Sequence, residues 1–198
     1  FDQPLSFDTS QVTTMYKMFR YATAFNQPLN FTDTSKVTNM GGMFVGADTF
    51  NQPLSFDTSQ VTIMGSMFYF AKAFNQPLTF DTSQVTTMRG MFTGAAAFNQ
   101  PLTFDTSQVT DMSSMFTGTN FNQPLTDWDV SQVTDMSYMF QNAAAFNQDL
   151  SAWDVSQVSD MSGMYDGATA FNQDISAWDV SQVTNMNYMF DGATAFNQ

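Results

Sequence analysis

The sequence predicts an α/β solenoid of eight coils, and three observations predict it. The line Phe25-Asn26-Gln27-Pro28-Leu29 returns at Phe50, Phe74, Phe98 and Phe121, and with Asp for Pro at Phe146 and Phe171. The starts lie 23 to 25 residues apart, a variant begins at Phe1, and a truncated copy begins at Phe196. A fixed period in this range marks a stacked repeat. Within each period the apolar spacing then switches from two to three and four, so each coil is expected to carry a short parallel strand and a short helical or 3₁₀ segment. Residues 1–198 form a single repeat array, read as an elongated right-handed rod. The chain starts and stops inside repeats, as a piece of a longer array would.

One copy, Phe74–Ala97, shows the elements in order. Phe74, Leu78 and Phe80 alternate with other residues, the period of a strand with one buried face. Pro77 has no N–H for a sheet ladder. Asp149 and Asp174 stand in its place in two copies, which points to solvent. Asn and Gln recur as a pair in every copy from Asn26-Gln27 onward, and stacked amides can bond from coil to coil.

Asp81-Thr82-Ser83 comes next, with side-chain oxygens that accept from nearby backbone N–H groups. Val85, Met88, Met91, Phe92 and Ala95 then fall on one helical face. Gly94 occupies the C′ place where a positive φ is needed, as do Gly46, Gly118, Gly167 and Gly192. Gly41, Gly42, Gly65 and Gly90 weaken a helix of this kind. Strands stack at about 4.8 Å and eight of them span about 40 Å. A helix is about 10 Å wide, so the rod is expected to curve with its strands inside.

The copies form two groups. Most of the first five read Leu-x-Phe-Asp-Thr-Ser, and the last three read Trp-Asp-Val-Ser at Trp128, Trp153 and Trp178 with one added residue. An inserted residue reverses the facing of the residues after it unless a bulge or turn absorbs it. The pattern Trp128-Asp-Val-Ser-Gln-Val-Thr-Asp-Met-Ser-Tyr-Met-Phe140, continued by Ala-Ala-Ala-Phe-Asn-Gln, resembles the BspA-like leucine-rich-repeat surface proteins, including those of mycoplasmas. The resemblance implies a leucine-rich-repeat-like solenoid at an extracellular or cell-surface location, used for adhesion or self-association. It implies no catalytic residue.

Charge narrows the partners. Every acid is Asp, and all five bases (Lys17, Arg20, Lys36, Lys72, Arg89) precede residue 90. Residues 1–89 therefore carry 5 − 6 = −1, and residues 90–198 carry −12. Such a surface repels nucleic acid and anionic lipid. No run of apolar residues is long enough to cross a membrane. With neither Cys nor His, thiolate and imidazole metal chemistry is out, and no cofactor is expected.

Met occurs as eight Met-x-x-Met pairs from Met15/Met18 to Met186/Met189, read as a core file of sulfur–aromatic contacts rather than a groove. The Asp heading each Asp-x-Ser turn forms a file from Asp8 to Asp179. Capping is the first reading of it; calcium between Asp105, Asp129, Asp154 and Asp179 is the competing one. The freest positions flank the Met pair, and Tyr16, Lys17, Arg89, Tyr138 and Tyr188 there make the candidate interaction surface. The function read from this is a non-enzymatic surface module binding a protein or cell-surface ligand. The alternatives are end-to-end self-association into a fibre or coat, and ice binding through files such as Thr9/Thr13 and Thr58/Thr62. Asp pairs repeated along a rod create no unique cleft for acid–base catalysis.

Overall fold

A computed structural model describes residues 1–198. It is a solenoid of eight stacked coils. Seven parallel bridges run from coil to coil in one file: Thr14 to Asn39, Ile63, Thr87, Asp111, Asp135, Asp160 and Asn185. Each bridge is a single residue pair, and the chain contains no helix.

The strand-like contact is therefore not where the sequence places it. Outside one bridge between Leu5 and Leu29, the Phe-Asn-Gln-Pro-Leu lines do not pair through their backbones. Their side chains do the pairing instead. The Asn51 Oδ1 accepts from the Asn75 N–H at 2.9 Å and from Gln76 Nε2 at 3.1 Å. The same pair of bonds joins Asn26 to Asn51 and Gln52, and Asn122 to Asn147 and Gln148. This amide ladder is the expected one, with Asn as acceptor and Gln half-buried. Since the backbone here needs no partner, Pro77 fits without loss, and Pro77, Asp149 and Asp174 all face solvent.

The expected helix is a run of turns. The Met91 N–H donates to the Met88 carbonyl, Thr93 to Gly90 and Ala95 to Phe92, each closing a turn three residues back. The residues between them donate outward: Met88 to Asp111, Gly90 to Ser113, Phe92 to Met115 and Gly94 to Thr117 in the next coil. Alternate N–H groups thus serve the coil's own turns and its neighbour. Serial turns of this kind also set inward side chains three and four apart, which is why their spacing imitates a helix.

Residues at two places per coil take a positive φ. Gly94 is one, at φ 67°, and a Cβ there would stand 2.6 Å from Phe70 Cδ1 in the preceding coil. Glycine is required twice over, by conformation and by the ring lying on it. With no helix, the reason for expecting a curved rod with inner strands disappears.

The interior is one cluster of 52 buried residues. Fourteen of the sixteen Met are buried; Met18 and Met186, in the first and last coils, are exposed. Two aromatic files run the length of the rod. Phe44, Phe68, Phe92, Phe116, Phe140 and Tyr165 stack at 5.6 to 5.8 Å between ring centres. Phe50, Phe74, Phe98 and Phe121 stack at 6.0 to 6.1 Å. The files interlock, with Phe68 lying 4.0 Å from Phe74. Offset stacks of this kind add to plain area burial.

Candidate functional site

The five candidate interaction residues stand on the turn segment, on the flank just outside the Met file. Tyr16 and Tyr188 are 54% and 70% exposed. Lys17, Tyr138 and Tyr188 adopt the left-handed conformation, with φ of 58°, 58° and 59°. The structure brings three of the five together and leaves two apart. Tyr16, Lys17 and Arg89 line one trough of about 270 Å³ with Gly41, Gly42, Ile63, Gly65, Ser66 and Thr87. Tyr138 lies over Gly163 in the following coil, and neither it nor Tyr188 reaches the trough.

The trough arises from the order of side chains along two files. Read coil by coil, one file runs Tyr16, Gly41, Gly65, Arg89 and the next runs Lys17, Gly42, Ser66, Gly90. Large residues in the first and fourth coils wall a floor of small residues in the second and third. The Lys17 side chain leans across that floor, and a Cβ at Gly42 would stand 3.0 Å from Lys17 Cγ. The Lys17 Nζ lies 4.6 Å from the Tyr16 ring centre, a cation–π distance.

A second hollow, of about 320 Å³, lies beside the first, among Tyr21, Val45, Gly46, Tyr69 and Phe70. Tyr21 and Phe70 are exposed aromatics at its rim. Lys72 and Asp48 close one side with an ion pair of 3.2 Å. Both ends of that pair are solvated, so its worth is small. The surface has these two hollows, and every residue lining them precedes residue 90.

One member of the first trough escaped the sequence reading. The N–H two residues after each bridge position is taken by the side-chain oxygen at that position. Asn39 takes the Gly41 N–H at 2.8 Å, and Asp111, Asp135 and Asp160 take those of Ser113, Ser137 and Ser162. Thr14, Thr87 and Asn185 do the same for Tyr16, Arg89 and Asn187. The third coil has Ile63, which has no oxygen, and the Gly65 N–H makes no hydrogen bond. The signal was in the sequence: Ile63 is the single apolar residue in a file of Thr, Asn and Asp.

The Asp file heads Asx turns rather than helices. In all eight coils the carboxylate of this file, from Asp8 to Asp179, accepts the N–H of the Ser two residues on, at 2.8 to 3.1 Å. The Ser83 hydroxyl and N–H hold the Asp81 carboxyl below its ordinary range. Ser107 does the same for Asp105, where the neighbouring Asp81 pushes the other way and is the weakest influence. Ser156 and Ser181 lower Asp154 and Asp179 likewise. Nowhere do three carboxylates converge in a geometry that could hold a metal.

The Thr files have separate structural duties. Thr58 and Thr82 are buried and donate to the Asp81 and Asp105 carbonyls of the next coil, both at 2.9 Å. The Thr62 file is exposed and flanks the bridge, where the hydroxyls lie 3.0 to 3.3 Å from the preceding coil's carbonyl, as in Thr86 to Thr62 at 3.3 Å.

The family model described as "Mycoplasma protein of unknown function, DUF285" matches residues 1–103, 54–127 and 103–198, which together span the chain. The chain belongs to this family. The overlapping matches track the tandem repeat, so the family is one of stacked coils in this chain. No curated protein and no solved structure matches it significantly. No helix is long and apolar enough to cross a membrane.

Proposed function

We propose that this chain is a non-enzymatic, BspA-like repeat module of the leucine-rich-repeat kind, displayed at a cell surface and used for adhesion. Its contact face is the grooved flank of the first four coils, and the acidic last four act as a spacer. One observation carries the reading: both hollows fall on the same flank, within the −1 half that holds every base. Concave places with a few convergent polar groups are where ligands bind. Exposed aromatic and Arg side chains are the usual anchors of an interface, and Tyr16, Tyr21, Phe70 and Arg89 supply them here. The Trp-Asp-Val-Ser motif supports the BspA-like assignment.

The test is adherence of the labelled chain to host-cell monolayers and to immobilised matrix proteins. Phe70→Asn combined with Arg89→Gln should lower retention at least tenfold. Asn accepts the left-handed backbone at residue 70. Tyr188→Asn should leave retention unchanged. Retention lost equally in both variants, or no retention of the wild type, would overturn the proposal.

A further inference from the structure

We infer that the trough between the first and fourth coils is a binding site for one acidic sugar residue. The inference rests on the adhesive reading and names the ligand chemistry of that face. Its core is the Gly65 N–H. This half-buried amide has no acceptor within the protein, so a ligand can take it, and Gly65 lines a trough whose walls carry Lys17 and Arg89. Seven coils silence the equivalent donor with a side-chain oxygen; this one leaves it open where two cations stand. A carboxylate fits that combination, because a backbone N–H and flanking cations give short charge-assisted bonds to an oxyanion.

The rest of the lining selects a sugar over a bare anion. Ile63 is 38% exposed, and the Tyr16 ring is open to solvent, so together they offer an apolar face to the C–H side of a pyranose ring. Ser66 and Thr87 present hydroxyls to its hydroxyl groups. A space of about 270 Å³ lies just under the range of drug-sized sites. It suits one ring with its carboxylate. The glycine floor is what lets a ring settle at backbone depth.

The experiment tracks the Gly65 amide resonance in the isotope-labelled whole chain at constant ionic strength. The probes are the methyl glycosides of glucuronic acid and N-acetylneuraminic acid, with methyl glucoside, acetate and sulfate as comparators. Either acidic sugar should shift Gly65 and Arg89 with saturation, and the comparators should bind at least tenfold more weakly. Ile63→Asn installs the oxygen that Asn39 supplies one coil earlier, so it should occupy the Gly65 N–H and weaken binding tenfold or more. Arg89→Gln, on the exposed wall, is the second variant and should weaken it comparably. Equal binding of the neutral sugar, equal binding of acetate or sulfate, or no saturable shift would each overturn the inference. So would undiminished binding by a folded Ile63→Asn chain. Adherence that persists while all the sugars fail would leave the surface-module reading standing and refute only the ligand.

Discussion

Thr82 in the fourth coil and Val155 in the seventh occupy the same place, and the stack is held differently around them. The Thr82 hydroxyl reaches forward to the Asp105 carbonyl of the next coil at 2.9 Å. Val155 has no hydroxyl, and Trp153 two residues earlier reaches backward, its indole N–H donating to the Leu125 carbonyl at 3.1 Å. Trp128 and Trp178 reach back in the same way, to Leu102 and Leu150. The added residue of these coils is absorbed in a turn closed by the Trp153 N–H on the Leu150 carbonyl. Between the two rails, Thr106 still reaches forward to Asp129 while Trp128 reaches back to Leu102, so the fifth and sixth coils are joined by both. The halves share one core and one bridge file, and they differ in rails, charge and grooves. A fixed core leaves the outer positions free, and the first half has used that freedom to make hollows.

The core should not distinguish the halves, and this gives the largest expected effect. Met91→Asp and Met139→Asp each bury an unpaired charge among stacked rings. Such a charge costs several kcal/mol after relaxation, and coils are coupled to their neighbours. Cooperative melting should be lost in both variants. Arg89→Asp, exposed, should change the melting temperature little. A mild effect at either Met, measured by thermal circular dichroism, would break the idea of one continuous core.

The rails should distinguish the halves, more in the second than in the first. Trp153→Phe removes buried volume and strips the Leu125 carbonyl of its donor, a loss of about 2 to 3 kcal/mol. Thr82→Val keeps the shape and loses only the hydroxyl bond, at about 1 kcal/mol. Denaturant midpoints rank the two, and a reversed order would contradict the assignment of the rails.

Tyr165 is a flaw within the second half. It holds a Phe place in the file between Phe140 and Phe190. Its hydroxyl is fully buried with no partner, and burial pushes its ionisation well up. Tyr165→Phe should therefore stabilise the chain by about 1 kcal/mol, read as a higher midpoint. A loss of stability would mean that the hydroxyl has a partner.

Acid and salt sharpen the electrostatic contrast by smaller amounts. The turn carboxylates at Asp81, Asp105, Asp154 and Asp179 have folded values below the ordinary 3.8. Their contribution is present above 3.8 and is lost as pH falls through the lower folded values. Both halves should lose it together. The self-repulsion of the −12 half is relieved by salt, so added salt should raise the melting of that half more. Fluorescence reports on it selectively, since all three Trp lie there. Sodium and calcium should act alike at matched ionic strength. A saturable rise at micromolar calcium would return the Asp105, Asp129, Asp154 and Asp179 file to consideration as a metal ladder.

How much was legible depends on the demands of each residue type. The period, the inward Met and Phe, the Asp–Ser turns and the positive φ at Gly94 reflect needs local to one coil, and the amide ladder follows from the same Asn-Gln pair recurring at the same place in successive coils. The strand and the helix were misplaced because inward spacing does not reveal where backbone donors go. Phe-Asn-Gln-Pro-Leu alternates like a strand but is held by side-chain amides. Val85 to Ala95 is spaced like a helix but is a run of turns sharing its N–H groups with the next coil. The trough was half visible. Tyr16, Lys17 and Arg89 stood out, but the open Gly65 donor comes from an oxygen missing at Ile63, and only the bonded file makes that gap meaningful.

Residue-resolved amide hydrogen exchange on the whole chain tests that path most directly. Met88, Gly90, Phe92 and Gly94, bonded to the next coil, should exchange slowly, and Met91, Thr93 and Ala95 should also be protected by their turns. Gln76, Leu78 and Phe80 make no backbone amide bond and should exchange fast. Gly65 should exchange fast among the slower Gly41, Ser113, Ser137 and Ser162. Protection concentrated at Gln76 to Phe80, with Met88 to Ala95 open or Gly65 as slow as its equivalents, would contradict the account.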